Sequence, residues 1–181
     1  MKSALLIIDV QRALFDTDPP PFEAVQVIER INRLSEQARS AASPVIFIQH
    51  ENPQGSLLYG SEGWQLEPGL LICEGDHIVR KTTPDSFLRT KLQALLEHAQ
   101  IGQLVICGYA SEFCVDTTTR RAAALGYPVT LAADAHTTQD KAHASGAQIR
   151  AHENATLADI TSFGPPICAQ QTSDICFSST D

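Results

Sequence analysis

Short, uninterrupted apolar runs alternate along this chain with stretches whose apolar residues recur every three or four positions. The runs are Ala4–Ile8, Val45–Ile48, Leu104–Cys107 and Val129–Ala133, and further short strands are expected near 77–80 and at about 155–160. Runs without an in–out alternation suit strands covered on both faces, as in a parallel sheet. Helical spacing marks residues 22–41 through Val25, Ile28, Ile31 and Leu34, and a stretch from about Asp85 through Leu88, Leu92, Leu95, Leu96 and Ala99. Two more helices are expected over 111–125, stopped by Gly126, and over 140–152. Strands alternating with helices predict an α/β fold: three α/β/α layers around a doubly wound, mostly parallel sheet. Residues 51–77 hold Gly and Pro without a long periodic run, and loops of that length usually carry function. One domain is expected over 1–160. Beyond Gly164-Pro165-Pro166, the segment 161–181 reads as a tail, either loosely ordered or packed on a neighbouring subunit.

Composition narrows the function classes. With 181 residues and 43% hydrophobic content, a single domain can build a real core. The formal net charge of −8 disfavours nucleic acid and anionic membranes as partners. No run approaches the roughly 18 apolar residues of a membrane span, and Asp9 interrupts the first run before a secretory cleavage site could follow. The five cysteines have no C-x-x-C spacing and read as free thiols, so a cytoplasmic protein is expected. No G-x-G-x-x-G follows the first strand and no G-K-[ST] occurs, which counts against a nucleotide-dependent oxidoreductase.

Reactive residues fall where three of the strands end. Asp9 closes the first run, Arg80 and Lys81 close the strand near 77–80, and Cys114 follows the Leu104–Cys107 strand and Gly108, where a helix begins. In open α/β sheets that edge binds ligands. A thiol at a helix start is open to acidification and nucleophilic work, and Cys114 is the cysteine expected to alkylate first; the alternative is a buried structural cysteine. Alternation along Ile78-Val79-Arg80-Lys81 lets only one of the two cations enter the site. Asp134 reads best as a structural carboxylate. Cys73, Cys107, Cys168 and Cys176 read as bystanders.

In Leu6-Ile7-Ile8-Asp9-Val10-Gln11, Lys81 with Ser86-Phe87, Gly108 through Val115, and Ala132-Ala133-Asp134-Ala135, the chain resembles the isochorismatase-like cysteine hydrolases. That superfamily includes nicotinamidases and carbamoyl-amide hydrolases, and the resemblance covers about residues 4–160. It implies the isochorismatase-like hydrolase fold and an Asp-Lys-Cys triad of Asp9, Lys81 and Cys114. It also implies a cis peptide between Tyr109 and Ala110, with the backbone N–H groups of Ala110 and Cys114 as an oxyanion hole. The implied reaction is cleavage of an amide, carbamoyl or lactam-like C–N bond of a small molecule through a thioester, in a homo-oligomer of two or more copies. Vinyl-ether hydrolysis of the isochorismatase type, or a catalytically inactive binding protein on the same fold, are the alternatives. Nicotinamidases carry a metal-binding Asp-x-His pair after the second strand; here Ile48-Gln49-His50-Glu51-Asn52 lacks it, so neither metal nor cofactor is expected. Gln11, Phe15, His50, Trp64, Tyr109 and Phe113 are the candidate pocket residues; Trp64 is a pocket wall or a packing residue.

Overall fold

In the computed structural model, which describes residues 1–177, strand β1 (Ser3–Ile8) lies at the centre of a six-stranded, all-parallel sheet. A helical turn α1 (Arg12–Phe15) and helix α2 (Ala24–Ser40) lead to β2 (Val45–His50), and the long excursion leads to β3 (His77–Lys81). Then follow α3 (Leu92–His98), β4 (Gln103–Tyr109), a π-helical turn at Ser111–Val115 that runs into α4 (Asp116–Ala124), β5 (Val129–Thr137), α5 (Gly146–Asp159) and β6 (Ile167–Gln170). The strand order is β3-β2-β1-β4-β5-β6. The chain winds outward from β1 through β2 and β3, then returns to the other side of β1 with β4. The β1–β4 boundary is therefore the topological switch point, where a crevice opens beyond the strand ends.

Alternation within β1 builds both halves of the core. Ala4, Leu6 and Ile8 face the layer of α3 and α4, with Ile46, Ile106, Leu92, Leu96 and Val115. Leu5 and Ile7 face α2, whose stripe of Val27, Ile31, Leu34 and Ala38 packs against Phe47 and Val105. β1 is buried at every position, and for that reason its sequence reads as one apolar run. Close approach at the switch point needs Gly108. Its φ is +117°, and a Cβ there would lie 2.1 Å from the Ile8 carbonyl oxygen.

Several boundaries differ from the pattern-based expectation. Val25 is 67% exposed, because the buried stripe of α2 starts at Val27 and recurs at four- and three-residue steps. No helix starts at Asp85. Its Oδ1 accepts the N–H groups of Phe87 and Leu88 in a turn, Arg89 takes a φ of +58°, and the helix forms only from Leu92. Residues 155–159 continue α5 instead of forming a strand, since Ser145 and Gln148 make a capping box that starts this helix later and Ile149, Glu153 and Leu157 align on its buried side. The last strand comes from the segment read as a tail: Ile167–Gln170 pairs with β5, and Thr172 is anchored to Asp134. Residues 178–181 of that tail lie outside the described residues. No helix among the described residues is long and apolar enough to cross a membrane.

Candidate active site

Each side chain at the switch point is delivered by a strand end. Asp9 follows β1 with φ +51°, His50 ends β2, Lys81 ends β3, and Cys114 sits in the π-helical turn after β4. β3 is separated from β1 by β2, so only a long side chain reaches across, and Lys81 does so while 2% exposed. Its ammonium donates to Asp9 Oδ2 at 2.6 Å, Cys114 Sγ at 3.2 Å and His50 Nδ1 at 3.2 Å. Three N–H donors thus meet three acceptors, and the ammonium is saturated. Arg80 turns outward, forked onto Glu51 at 2.6 and 3.0 Å and lying 3.6 Å over the Tyr59 ring.

His50 is oriented from both sides. With Nδ1 accepting from Lys81, the ring proton belongs on Nε2, which donates to Asn52 Oδ1 at 3.0 Å. Asp9 is 1% exposed, and its second oxygen, Oδ1, has no hydrogen-bond partner among the described residues. A buried carboxylate oxygen left unpaired beside a thiol is placed to take that thiol's proton.

The thiol itself departs from the expectation of an acidified cysteine. Burial first, and then the neighbouring Asp9 carboxylate, push Cys114 up to about 12; Lys81 pulls the other way without prevailing. Cys114 is also the fourth residue of its turn and not the first, so it draws little from the helix start. Burial and Asp9 both favour the thiol form of Cys114, and Cys73 and Cys176 are the more exposed cysteines. Cys107 is fully buried with its thiol pushed up by burial, and donates to the Leu6 carbonyl at 3.5 Å.

A cavity of about 210 Å³ opens onto these groups. Asp9, His50, Ala110 and Cys114 form its floor, and Leu14, Leu57, Pro84, Tyr109 and Phe113 its walls. The larger surface depressions, one of 650 Å³ beside α2 among them, contain no such buried ion pair. The Tyr109–Ala110 peptide is cis.

Of the pocket candidates, His50, Tyr109 and Phe113 line this cavity, whereas Gln11, Phe15 and Trp64 do not. Gln11 is wholly buried and serves as a brace. Its Nε2 donates to the carbonyls of His50 and Trp64 at 3.0 and 2.8 Å, while Oε1 accepts the His50 N–H at 2.8 Å. Phe15 lies behind the wall, tilted against Tyr109 at 5.9 Å. Trp64 packs edge-on against Tyr59, and its carbonyl receives both Gln11 and Gln49. These contacts fasten the 51–77 excursion over the strand ends. Leu14, Leu57 and Pro84 carry no chemical signal in the sequence, and only the fold gathers them.

One arrangement was missed in the sequence. Ser111, the residue that opens the turn carrying Cys114, hydrogen-bonds His136 Nδ1 at 2.8 Å, and His136 Nε2 donates to Asn154 Oδ1 at 2.9 Å. Asn154 is set by its Nδ2 donating to the Ala133 carbonyl at 2.9 Å. Burial pulls His136 down to about 4, so the imidazole is neutral. Polar residues inside apolar runs, such as His136 in β5, were the available signal. Asp134 is structural: it accepts the Thr172 N–H and O–H at 2.8 and 2.6 Å and pairs with Arg30 at 3.3 Å.

A metal does not fit this donor set. The ligand atoms of Asp9, His50 and Cys114 lie within 4.8 Å of one another, as a cation site would require. The Lys81 ammonium already stands among them at 2.6–3.2 Å, and a dication would have to share that space with a fixed positive charge.

The isochorismatase domain family matches residues 3–169. A streptothricin hydrolase of Streptomyces noursei is 39% identical over 138 residues, which are 76% of this chain and 50% of that protein. A secreted isochorismatase effector of Verticillium dahliae is 32% identical over 160 residues, covering 87% of this chain and 84% of the effector. The chain spans about half the length of the streptothricin hydrolases it matches. A crystal structure of an isochorismatase family protein superposes with a TM-score of 0.85 at 33% identity, covering 93% of this chain and 98% of that one.

Proposed function

The chain belongs to the isochorismatase family of hydrolases, and from that premise we propose that it cleaves the C–N bond of a small amide, carbamoyl compound or lactam through a thioester on Cys114. The observation that carries this reading is Lys81 Nζ held 2.6 Å from Asp9 Oδ2 and 3.2 Å from Cys114 Sγ on the floor of a cavity. Because burial and Asp9 keep Cys114 protonated, deprotonation belongs to the attack itself and not to the resting enzyme. Asp9 Oδ1 takes the thiol proton as Sγ bonds to the carbonyl carbon, and the carbonyl π pair moves onto oxygen. The N–H groups of Ala110 and Cys114 are the donors for that oxyanion. As the C–N bond breaks, Asp9 returns the proton to the departing amine. Water then adds to the thioester with Asp9 again as base, and collapse releases the acid and restores the thiol. Lys81 supplies the positive charge that lets carboxylate and developing thiolate share one buried site.

The test is a panel of small amides, carbamoyl compounds and lactams given to the wild type, Cys114→Ala and Asp9→Asn, with intact-mass detection. The expected result is turnover by the wild type alone and an acyl adduct on the Cys114 peptide when the reaction is quenched early. Turnover that persists in Cys114→Ala would overturn the proposal.

A further inference from the structure

The cavity's walls and the state of the cations around it say which amides can enter. Apart from Asp9, His50 and Cys114, the lining is apolar or aromatic: Leu14, Leu57, Pro84, Tyr109, Ala110 and Phe113. Its 210 Å³ is below the roughly 300–1,000 Å³ that house drug-sized ligands. No Lys or Arg lines the cavity among the described residues, and the buried Lys81 behind Asp9 and Cys114 has all three donors occupied by Asp9, His50 and Cys114.

Cations on the neighbouring segments are held in surface ion pairs. Arg80 is forked onto Glu51 and covered by Tyr59. Lys141, 5.5 Å from the Phe113 ring, pairs with Glu112 at 3.3 Å. Arg121 pairs with Asp85 at 3.5 Å, and Arg12 with Glu62 and Asp16. A substrate carboxylate entering here would lose its water, gain no partner and face the Asp9 carboxylate. A cationic substrate would meet apolar walls and an Asp9 carboxylate whose charge Lys81 already balances through Oδ2.

We infer that the substrate is a small uncharged amide bearing an apolar or aromatic group, and that carboxylate-bearing amides are rejected. This rests on the amide-hydrolase reading above and narrows it. Leu14, Leu57 and Phe113 then act as specificity determinants, since they present hydrocarbon where a carboxylate-selective site would present a cation.

Two isosteric pairs separate charge from shape: 3-methylbutanamide with malonamate, and 4-isopropylbenzamide with 4-carboxybenzamide. In each, an isopropyl group replaces a carboxylate of the same outline. Measuring kcat/KM by ammonia release with wild-type protein should favour the neutral member of a hydrolysed pair about 100-fold or more. Phe113→Arg places a cation at an exposed position of the cavity wall, 54% exposed in the wild type, and should narrow that ratio at least about tenfold. A carboxylate member hydrolysed as well as its neutral partner, with the acyl adduct still on Cys114, overturns the inference and leaves the amide-hydrolase reading standing. No turnover and no adduct with any of the four overturns that reading, and the inference falls with it. An unchanged ratio in a folded Phe113→Arg also counts against the inference, by showing that this wall does not meet the substrate.

Discussion

Replacing Asp9 with Asn should make Cys114 more reactive toward alkylation while abolishing hydrolysis. The thiol stands at about 12 because of burial and the Asp9 carboxylate, with Lys81 opposing. Asp9 and Cys114 present their reactive atoms within 4.8 Å of each other. At an effective dielectric of about 20, two charges at that separation repel by about 3 kcal/mol, which is roughly a hundredfold in thiolate population. Asn keeps the side chain's size and removes the charge, and Lys81, 3.2 Å from Sγ, becomes the thiolate's counter-ion. Site-resolved mass mapping of iodoacetamide labelling at pH 8 should show Cys114 modified about 100-fold faster in Asp9→Asn, with the exposed Cys73 and Cys176 as internal references of unchanged rate. Over the same comparison, kcat/KM for any substrate found should fall about 10²-fold or more, the usual scale for losing a general base. If labelling of Cys114 is unchanged or slower in a folded Asp9→Asn, Asp9 is not the group that holds the thiol proton, and the proposed proton path is wrong.

Other expectations follow from the same geometry. Lys81→Met leaves the Asp9 carboxylate buried without a partner, so urea melts should show about 3–5 kcal/mol less stability; a loss under 1 kcal/mol would contradict a tight buried pair. Exhaustive chelation should leave the rate unchanged, because the ammonium fills the space between the three ligand atoms; loss restored by one divalent ion would refute this. His136 is pulled from 6.5 to about 4, so the unfolded chain takes up a proton that the folded chain refuses, and this group alone removes about 3 kcal/mol as pH falls from 6.5 to 4. Glu153, pushed from 4.5 up to about 7, mainly by burial, works oppositely: its contribution is present at low pH and lost as pH rises through 7. Glu153→Gln should therefore steepen the acid loss of stability between pH 6.5 and 4.5, and a flat urea midpoint across that range in the variant would count against the His136 assignment.

The sheet and the strand-end residues were legible because both rest on one-dimensional signals. A strand buried on two faces has to be apolar throughout, so β1, β2 and β4 announced themselves, and the polar residue at each C-terminal end stood out. Alternation also showed that only one of Arg80 and Lys81 can enter the site, since neighbours on a strand cannot share a face, and the family resemblance pointed to Lys81. What escaped was decided by contacts distant in sequence. The start of α3 depends on an Asp85 turn and the left-handed Arg89, not on leucine spacing. β6 follows a Gly-Pro-Pro stretch and is short, and pairing with β5 alone identifies it. Gln11 looked like a pocket residue because it follows Asp9, yet its amide spans two segments at separations of 39 and 53 residues. No local pattern encodes such a brace.

The acidity of Cys114 is where local reasoning failed most instructively. Position in a helix start gives a field effect worth at most about 2 kcal/mol, and it fades within the first turn. Burial and a carboxylate within 4.8 Å act on the thiol more strongly, and both are tertiary features. The reversal also changes what the site must do. A preformed thiolate would react with any electrophile that diffused in, whereas in the proposed mechanism a thiol beside the unpaired Asp9 Oδ1 reacts only when a carbonyl carbon sits within bonding reach of Sγ while the proton moves. In that mechanism nucleophilicity is then conditional on a substrate that fits the apolar walls, and the same carboxylate that suppresses the thiol at rest becomes the base that releases it. On that logic the selectivity of the cavity and the protonation state of its nucleophile are one property, set by Asp9, Lys81 and the residues that exclude water around them.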